Sequence, residues 1–461
     1  MKRIAVFSIP AHGHTNPMLP VVSELVKHGN KVRFYSFDEF GEKIRATGAD
    51  FISCNEFLGK VTEQEEKRLK KVSTTEMSIQ DLRITVNMND FLEKEFADFK
   101  PDVVYTDSVC FWGKLNALKH KVPMVVSTST FAFNQLSSQY MKHSAAELAD
   151  MIFGLPKISK ELKKLEPYGY KVKGVLSLVQ SDNNTDSVVY ATKKFQPYSE
   201  VFSEHYAFVG PSVYTDKLPD KKKERPLVYI SMGTVINNRP DFYKKCIEAL
   251  KDMQADVVIS CGKAVNPEDF GELPQNISVY PYVNQLEILS KTDVFITHCG
   301  MNSVSESLYM ATPMVLYPQT GEQFAVARRA AELGAGVMLK DDSAKEISKA
   351  VSEILNNSRY SESAEECSED FRNASGTTGA ADFIESAPHD ATGKDIIVEL
   401  NKANGKFQLF YWLVVIVLII LFCIFIGVKY SWIVGATAGI ISTPLGKYVQ
   451  GKNYQKLTGI K

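Results

Sequence analysis

Short apolar runs alternate along this chain with longer segments in which apolar residues recur every three or four positions. The short runs predict buried strands, and the longer segments predict amphipathic helices that pack on them. This alternation is typical of β-α-β units, so we expect an α/β fold with doubly wound parallel sheets. In the first half of the chain the predicted strands are residues 4–9, 31–37, 50–54, 103–107 and 124–127.

The same pattern starts again in the second half of the chain, which indicates a second sheet. The first helix of the chain is predicted to have Asn16 as its N-cap and Pro17 as its first helical residue, and to end at Gly29. In the second half the predicted strands are residues 227–231, 256–261, 277–280, 294–297 and 314–317, with helices at 324–333 and 344–355.

With 461 residues the chain is longer than one hydrophobic core usually supports, so two domains are expected. The segment TDKLPDKKKERP is polar and contains two prolines, which is typical of a linker. We therefore predict an N-terminal domain at 1–214, a linker at 215–226, a C-terminal domain at 227–385 and a second linker at 386–408.

The C-terminal end of the chain is strongly apolar. Residues 409–428 carry no charge and would form a helix about 30 Å long, the thickness of a bilayer's hydrocarbon core. This pattern predicts a transmembrane helix. The shorter stretch 432–445 is either a second span or an interfacial segment, and 446–461 is a basic tail. Because the N-terminus does not resemble a secretory signal, we expect a cytoplasmic catalytic body anchored to the lipid bilayer by its C-terminus.

Composition narrows the function classes. The formal net charge is -1 and no basic stripe is present, so nucleic acid is not an expected partner. The seven cysteines include no C-x-x-C pair, which argues against a disulfide framework and against a zinc site. No metal and no resident cofactor is expected.

Two loops of the second half follow predicted strands and are suited to a phosphate-bearing ligand. The loop THCGMNSVSES, residues 297–307, passes from a buried strand into a helix whose first amides can bind a diphosphate. The loop SMGT, residues 231–234, adds Thr234 and a glycine. From the residues alone, each loop fits a plain strand-to-helix connection equally well. The polar side chains of the first loop are His298, Asn302, Ser303 and Glu306.

The segment 282–323 resembles the nucleotide-sugar-binding motif of the family 1 UDP-glycosyltransferases, in particular their macrolide-glycosyltransferase-like branch. The string AHGHTNPMLP, residues 11–20, is similar to the same branch, and the resemblance extends over residues 3–385. It implies a GT-B fold of two facing Rossmann-like domains. The N-terminal domain would bind the acceptor and the C-terminal domain the UDP-sugar donor. The resemblance also implies inverting transfer without a metal, and no D-x-D string occurs in the chain.

The resemblance further implies a catalytic pair. His14 would be the general base that deprotonates the acceptor hydroxyl, and Asp107 would orient and stabilise its imidazole. His12, two residues away, is the rival candidate.

The resemblance assigns the donor-binding residues as well. Tyr282 would stack on the uracil, and Glu322 and Gln323 would hold sugar hydroxyls. Most relatives have tryptophan where Tyr282 stands and proline at Asn284, and aspartate often occupies the position of Glu322. The remaining donor residues are Gln285 and Glu306 for the ribose, and Thr234, His298, Asn302 and Ser303 for the diphosphate.

The acceptor is expected to be a small hydrophobic molecule. Its pocket is predicted within residues 56–91 and 131–155, where aromatic residues are either pocket lining or core. Two alternatives remain at this point. One is another GT-B enzyme, such as a sugar-nucleotide epimerase or a lipid-linked sugar transferase. The other is a catalytically silent nucleotide-sugar-binding membrane protein.

Overall fold

The computed structural model describes residues 1–59, 73–172, 174, 176–179, 183–213, 215, 219–220, 224–234, 237–390, 395–426 and 431–460. Thirteen strands in this part of the chain form two parallel sheets. The strands of the first sheet are β1 Arg3–Phe7, β2 Lys31–Ser36, β3 Asp50–Ser53, β4 Val103–Asp107, β5 Met124–Thr128, β6 Asp186–Val189 and β7 Tyr206–Phe208.

The first sheet has the order β3-β2-β1-β4-β5-β6-β7. The strand order reverses between β1 and β4, and α/β sheets bind ligands at the carboxyl ends of strands beside such a switch point. The helices of this half are α1 His12–Lys27, α2 Asp38–Ala46, α3 Thr74–Asn87, α4 Asn89–Phe99, α5 Phe111–His120, α6 Ala145–Lys163 and α7 Leu176–Val179.

The second sheet repeats this arrangement with six strands. They are β8 Leu227–Ser231, β9 Asp256–Ser260, β10 Ile277–Tyr280, β11 Val294–Thr297, β12 Met314–Leu316 and β13 Gly336–Met338. Their order, β10-β9-β8-β11-β12-β13, places the switch point between β8 and β11. The helices of this half are α8 Pro240–Leu250, α9 Gln285–Leu289, α10 Met301–Tyr309, α11 Gly321–Glu332, α12 Ala344–Leu355, α13 Arg359–Arg372 and α14 Gly376–Ser386.

Each sheet has its own hydrophobic core. Val228, Ile230 and Ile296 are fully buried in the second core, beneath α8 and α12. In the first core, Val6 and Phe34 are packed with residues of α1 and of α14, although α14 follows the second sheet in the chain. The described residues also include short 3₁₀ turns at Asn55–Phe57, Ser137–Tyr140, Glu166–Tyr168, Ser199–Val201 and Pro267–Phe270.

All ten strands predicted from hydropathy are present, with ends that differ by at most two residues. Three further strands of three or four residues, β6, β7 and β13, were not predicted. In β13 the first of these residues is a glycine, which weakens the strand pattern. Each of them pairs with a neighbouring strand of its sheet, and hydropathy does not report such pairing.

The predicted start of α1 is wrong. The helix begins at His12 with Ala11 at the N-cap position, and Pro17 lies inside it. Proline lacks the N–H that would bond to the carbonyl four residues earlier, here that of Gly13. The helix continues through Pro17 and also contains Pro20, and a tertiary contact described below supplies a donor for the Gly13 carbonyl. The end is as predicted, because the Gly29 N–H bonds to Val26 O at 2.9 Å.

The chain divides into two compact units. The first, residues 1–197 and 206–389, contains both sheets, and the second consists of residues 198–205 and 390–461. In the second unit α15, Ile396–Ile426, packs against α16, Ser431–Thr458. Part of the predicted linker at 215–226 lies outside the described residues.

The predicted transmembrane helix is not confirmed. Among the residues that the structure describes, no helix is both long and apolar enough to cross a membrane. Side chains 419 and 421–428 of the predicted span, and 432–437, 439–440 and 443 of the stretch after it, lie outside that description.

Candidate active site

The first sheet brings His14 and Asp107 together at the carboxyl ends of its strands. Asp107 ends β4 and is completely buried, and His14 lies in the first turn of α1, directly after β1. His14 Nδ1 is 2.9 Å from Asp107 Oδ1. The imidazole is 28% exposed and the carboxylate 1%, so the ring reaches the cleft while its partner is shielded from water. A histidine oriented in this way by a carboxylate can accept a proton from a bound hydroxyl group.

Ser129 is a third member of this group that the sequence did not indicate. Its hydroxyl lies 3.1 Å from His14 Nδ1, and the residue is 6% exposed. Ser129 follows β5 immediately, on the strand next to β4. The rule that ligands bind at strand ends therefore contained the signal, since Ser129 ends the run MVVSTS.

His12 is not placed to act as the base. It is exposed, and its ring packs edge-on against Phe40 at 4.9 Å between centroids. No hydrogen bond joins it to Asp107 among the described contacts, whereas His14 makes that bond directly.

The charges around His14 set its proton affinity. Burial lowers the pKa of His14, but the charge and hydrogen bond of Asp107 outweigh it, and Glu322 and Asp81 act in the same direction. The result is a pKa raised to about 9. The pKa of Asp81, a residue of α3 that the sequence did not indicate, is raised well above its ordinary value by burial and by the charge of Asp107.

This raised pKa predicts a pH profile. Only the neutral imidazole accepts a proton, so kcat/KM is expected to rise with pH, to be half-maximal near pH 9, the pKa of His14, and to level off above it. In Asp107→Asn the carboxylate is lost and the effect of burial remains, so the rise should move to lower pH while the plateau falls. Initial rates between about pH 6 and about pH 10 would test this.

Asp102→Asn is the matched control for that profile. Asp102 pairs with Arg3 at the exposed surface, at 3.3 Å. Its loss should leave the profile unchanged. An identical profile for wild type and Asp107→Asn would contradict the assignment.

Strand β11 of the second sheet is followed by a helix, α10, whose N-terminus is suited to an anion. This helix begins at Met301 after Gly300, and no side chain caps its first amides. Uncapped N–H groups at a helix N-terminus, together with the helix dipole, favour a negatively charged ligand. The helix follows β11 directly, so its N-terminus lies beside the switch point between β8 and β11.

His298 is half-buried beside this helix start. Burial lowers the pKa of His298 to about 4, against a smaller opposing effect of its hydrogen bond to the Ser231 backbone. The ring is therefore neutral, and its Nδ1 has no hydrogen-bond partner among the described residues. Gly233 and Gly300 pack so closely on the ring that a Cβ at either position would come within 3.0 Å of it.

Gln285, Ser303 and Glu306 form one hydrogen-bonded group next to His298. Gln285 Nε2 donates to Glu306 Oε2 at 2.6 Å and lies 3.3 Å from Ser303 Oγ. Burial raises the pKa of Glu306 to about 7, although the bond from Gln285 opposes this. A ligand with two neighbouring hydroxyl groups would find both an acceptor and a donor here.

Asn302 joins the two halves of the site. Its Nδ2 donates to Gly13 O at 3.4 Å. This is the carbonyl that Pro17 leaves without a helical partner, and it belongs to the residue before His14. The N-terminus of α10 therefore lies next to the catalytic pair.

The remaining predicted donor residues are not hydrogen-bonded to the groups described above within the described part of the chain. Tyr282 is 77% exposed, and Thr234 is exposed at the end of its loop. Glu322 is exposed in the first turn of α11 and acts on His14 through its charge. Gln323 Oε1 accepts from the Gln319 backbone N–H at 2.8 Å, so its amide nitrogen is the group left for a sugar hydroxyl.

The residues expected to line an acceptor pocket have several different surroundings. Phe131 is buried in the core, whereas Phe153 is 78% exposed. The hydroxyl of Tyr140 donates to Glu332 Oε2 at 2.7 Å, a contact between the first and second halves of the chain. Residues 60–72 of the predicted acceptor region lie outside the described residues.

Two parallel sheets with a histidine–carboxylate pair on one and a helix N-terminus on the other define a GT-B-like glycosyltransferase. A family model described as UDP-glucoronosyl and UDP-glucosyl transferase matches residues 218–373. NDP-glycosyltransferase YjiC of Bacillus licheniformis is 34% identical over 404 residues, which cover 84% of this chain and 97% of that protein. The chain therefore belongs to the UDP-glycosyltransferase family.

Other relatives and solved structures agree with this assignment. Oleandomycin glycosyltransferase of Streptomyces antibioticus is 28% identical over 402 residues, covering 83% of this chain and 90% of that protein. The crystal structure of the glycotransferase of kitacinnamycin is 25% identical, with a TM-score of 0.71, and the match covers 83% of this chain and 98% of that one. The calicheamicin glycosyltransferase CalG4 matches with a TM-score of 0.69 at the same identity, over 84% of this chain and 100% of that one.

Proposed function

We propose that this protein is an inverting, metal-independent UDP-glycosyltransferase that moves a hexose from a UDP-sugar to a hydroxyl group of a small lipophilic acceptor. The observation that carries the proposal is the bond between Asn302 and Gly13, which sets the N-terminus of α10 beside His14 and Asp107. In a single displacement, the base would act on the attacking hydroxyl group, and the neighbouring helix N-terminus would bind the leaving diphosphate.

The reaction follows from this arrangement. His14 takes the proton of the acceptor hydroxyl while the oxygen attacks the anomeric carbon of the sugar. A new carbon–oxygen bond forms as the bond between that carbon and the diphosphate oxygen breaks, so the configuration inverts. The proton stays on His14, where Asp107 stabilises the imidazolium, and UDP leaves with the bonding electrons.

The departing diphosphate gains negative charge, and the second half of the site can stabilise it. The uncapped amides of α10 and the positive end of its dipole act on that charge without reorganisation. His298, a neutral ring packed on Gly300 just before the helix, would line this part of the site. Gln285 and Glu306 would hold the ribose hydroxyls, and Tyr282 would stack on the uracil.

The acceptor class is supported by the relatives. One of them is named for oleandomycin and a second for demethyllactenocin. We infer an acceptor of the same kind for this chain, a largely apolar molecule with a hydroxyl group that His14 can deprotonate.

The test is a panel of UDP-sugars with lipophilic alcohols, analysed by mass spectrometry and by NMR of the anomeric centre. We expect a glycoside of inverted configuration, with unchanged rates after treatment with a chelator. Free sugar or an epimerised nucleotide sugar as the main product would indicate another GT-B enzyme. No turnover with any donor, despite UDP binding, would indicate a silent binding protein.

Attachment to a membrane through the C-terminus is also part of the proposal. The described residues of α15 include several exposed large apolar side chains, among them Leu413, Ile416 and Val417, each about half exposed. We expect the full chain to stay in the membrane fraction after an alkaline wash. Lysine at all three positions should release it, since each lysine at the centre of a span costs about 3 kcal/mol.

The control for that experiment replaces Lys402, Lys406 and Lys447, which flank the apolar residues, by glutamine. This variant should stay with the membrane. Recovery of the unaltered chain in the soluble fraction would contradict the attachment.

A further inference from the structure

Helix α6 carries a face of exposed apolar residues, part of which lies in the segment predicted to line the acceptor pocket. Its members, which we call the α6 apolar face, are Leu148, Met151, Ile152, Phe153 and Leu155, between 36% and 78% exposed. Positions 148, 151, 152 and 155 follow the spacing of one side of a helix. Phe153 lies on a different side of the helix from these four, and Gly154 and Ile158 are buried.

Local contacts hold this face toward the solvent. Ser144 and Glu147 form a capping box at the start of α6. Asp150 Oδ2 accepts from Ser73 Oγ at 2.9 Å, which ties the helix to the start of α3. Gly154 packs on Thr75 so closely that a Cβ there would come within 3.0 Å of it. The helix cannot rotate to bury its apolar face without breaking these contacts.

The second half of α6 and the residue after it are basic. Lys157, Lys160, Lys163 and Lys164 are all exposed. Lys164 pairs with Glu161 at 2.8 Å, but the other three lysines form no ion pair within the described part of the chain. Large apolar side chains followed by unpaired lysines on one solvent-facing helix are typical of helices that lie in the interface of an anionic bilayer.

We propose that α6 docks on the surface of an anionic lipid bilayer, with its apolar face at the acyl boundary and its lysines at the headgroup phosphates. Helix α6 is a different segment of the chain from the C-terminal helices, and docking through it is a property additional to the proposed transfer reaction. Helix α6 packs on α3, and α3 carries Asp81, whose charge acts on His14. A lipophilic acceptor dissolved in the bilayer would then enter close to the base.

A fluorophore on the apolar face tests this docking. The described cysteines are all buried, so Ile152→Cys in a Cys423→Ala background can be labelled selectively with an environment-sensitive dye such as NBD. With phosphatidylcholine vesicles containing phosphatidylglycerol, we expect a blue shift and a brighter emission. Lys349→Cys, on the exposed side of α12, is the matched control and should show neither change.

The lysines provide a second measurement. Glutamine at 157, 160 and 163 should weaken the dye response to the anionic vesicles by roughly tenfold or more, because each lysine near an anionic surface adds to binding. Glutamine at 340, 345 and 349 removes the same charge from exposed positions elsewhere and should have little effect. Unchanged transfer to a water-soluble acceptor would show that both variants are folded.

Three outcomes would overturn the proposal. One is an unshifted dye at position 152 on vesicles that do bind the protein, as expected for attachment through the C-terminus alone. Another is an equal response at position 349. The third is a shift of the dye emission that a lipophilic alcohol produces without vesicles and that vesicles do not increase. This result would show that the α6 apolar face binds a small molecule.

Discussion

Replacing His14 by alanine is expected to lower kcat by roughly 10²- to 10⁴-fold, the usual contribution of a general base. The loss follows from its contacts, since the Nδ1 of His14 is the atom that Asp107 holds at 2.9 Å and no other histidine takes that place. UDP binding should change little, because the groups proposed to hold UDP are on the second sheet. Steady-state rates and calorimetric titration with UDP would measure the two effects separately.

His12→Ala is the control for this prediction. His12 lies two residues from His14 and is exposed, and its ring contacts Phe40 rather than Asp107. We expect at most a modest loss of activity. If His12→Ala lost the activity and His14→Ala kept it, the assignment of the base would be wrong.

The second large effect is expected at Gly233. Its φ of +73° disfavours any residue with a side chain, and an added Cβ would come within 3.0 Å of the His298 ring. Gly233→Ala should therefore displace His298 and weaken UDP binding by roughly tenfold or more, since overpacking of this kind typically costs about 1–3 kcal/mol. Calorimetry with UDP would measure the loss directly.

Gly271→Ala separates this clash from backbone strain. Gly271 has a similar φ of +69°, but an added Cβ there would meet nothing within 4 Å. The control should lose some thermal stability and keep its affinity for UDP. Equal loss of UDP affinity in both variants would show that strain, and not contact with His298, is responsible.

Much of the fold could be predicted from hydropathy because buried parallel strands are continuous apolar runs. The runs that end at Phe7, Asp107 and Thr297 are examples, and each is fully or largely buried. The polar residues that follow such runs were also predicted from the sequence as candidate site residues. His14, Asp107 and His298 all lie at strand ends, where α/β folds place their ligands.

Other features could not be predicted because they depend on residues distant in the chain. The start of α1 at His12 is an example, since the carbonyl freed by Pro17 is bonded by Asn302, which is 289 residues away. The role of α14 is another. It follows the second sheet in the chain but packs in the first core with Val6 and Phe34. Sequence patterns report local periodicity and contain no information about such pairings.

The sequence by itself determined that there are two α/β halves, the family, and the residues that carry its motifs. Only the tertiary structure decided which histidine meets Asp107, that Ser129 and Asp81 belong to the same group, and that Gln323 is partly engaged by Gln319. The physical reason is that proton affinity and hydrogen bonding depend on distance and burial. Those quantities are set by how the sheets bring together residues that lie far apart in the chain.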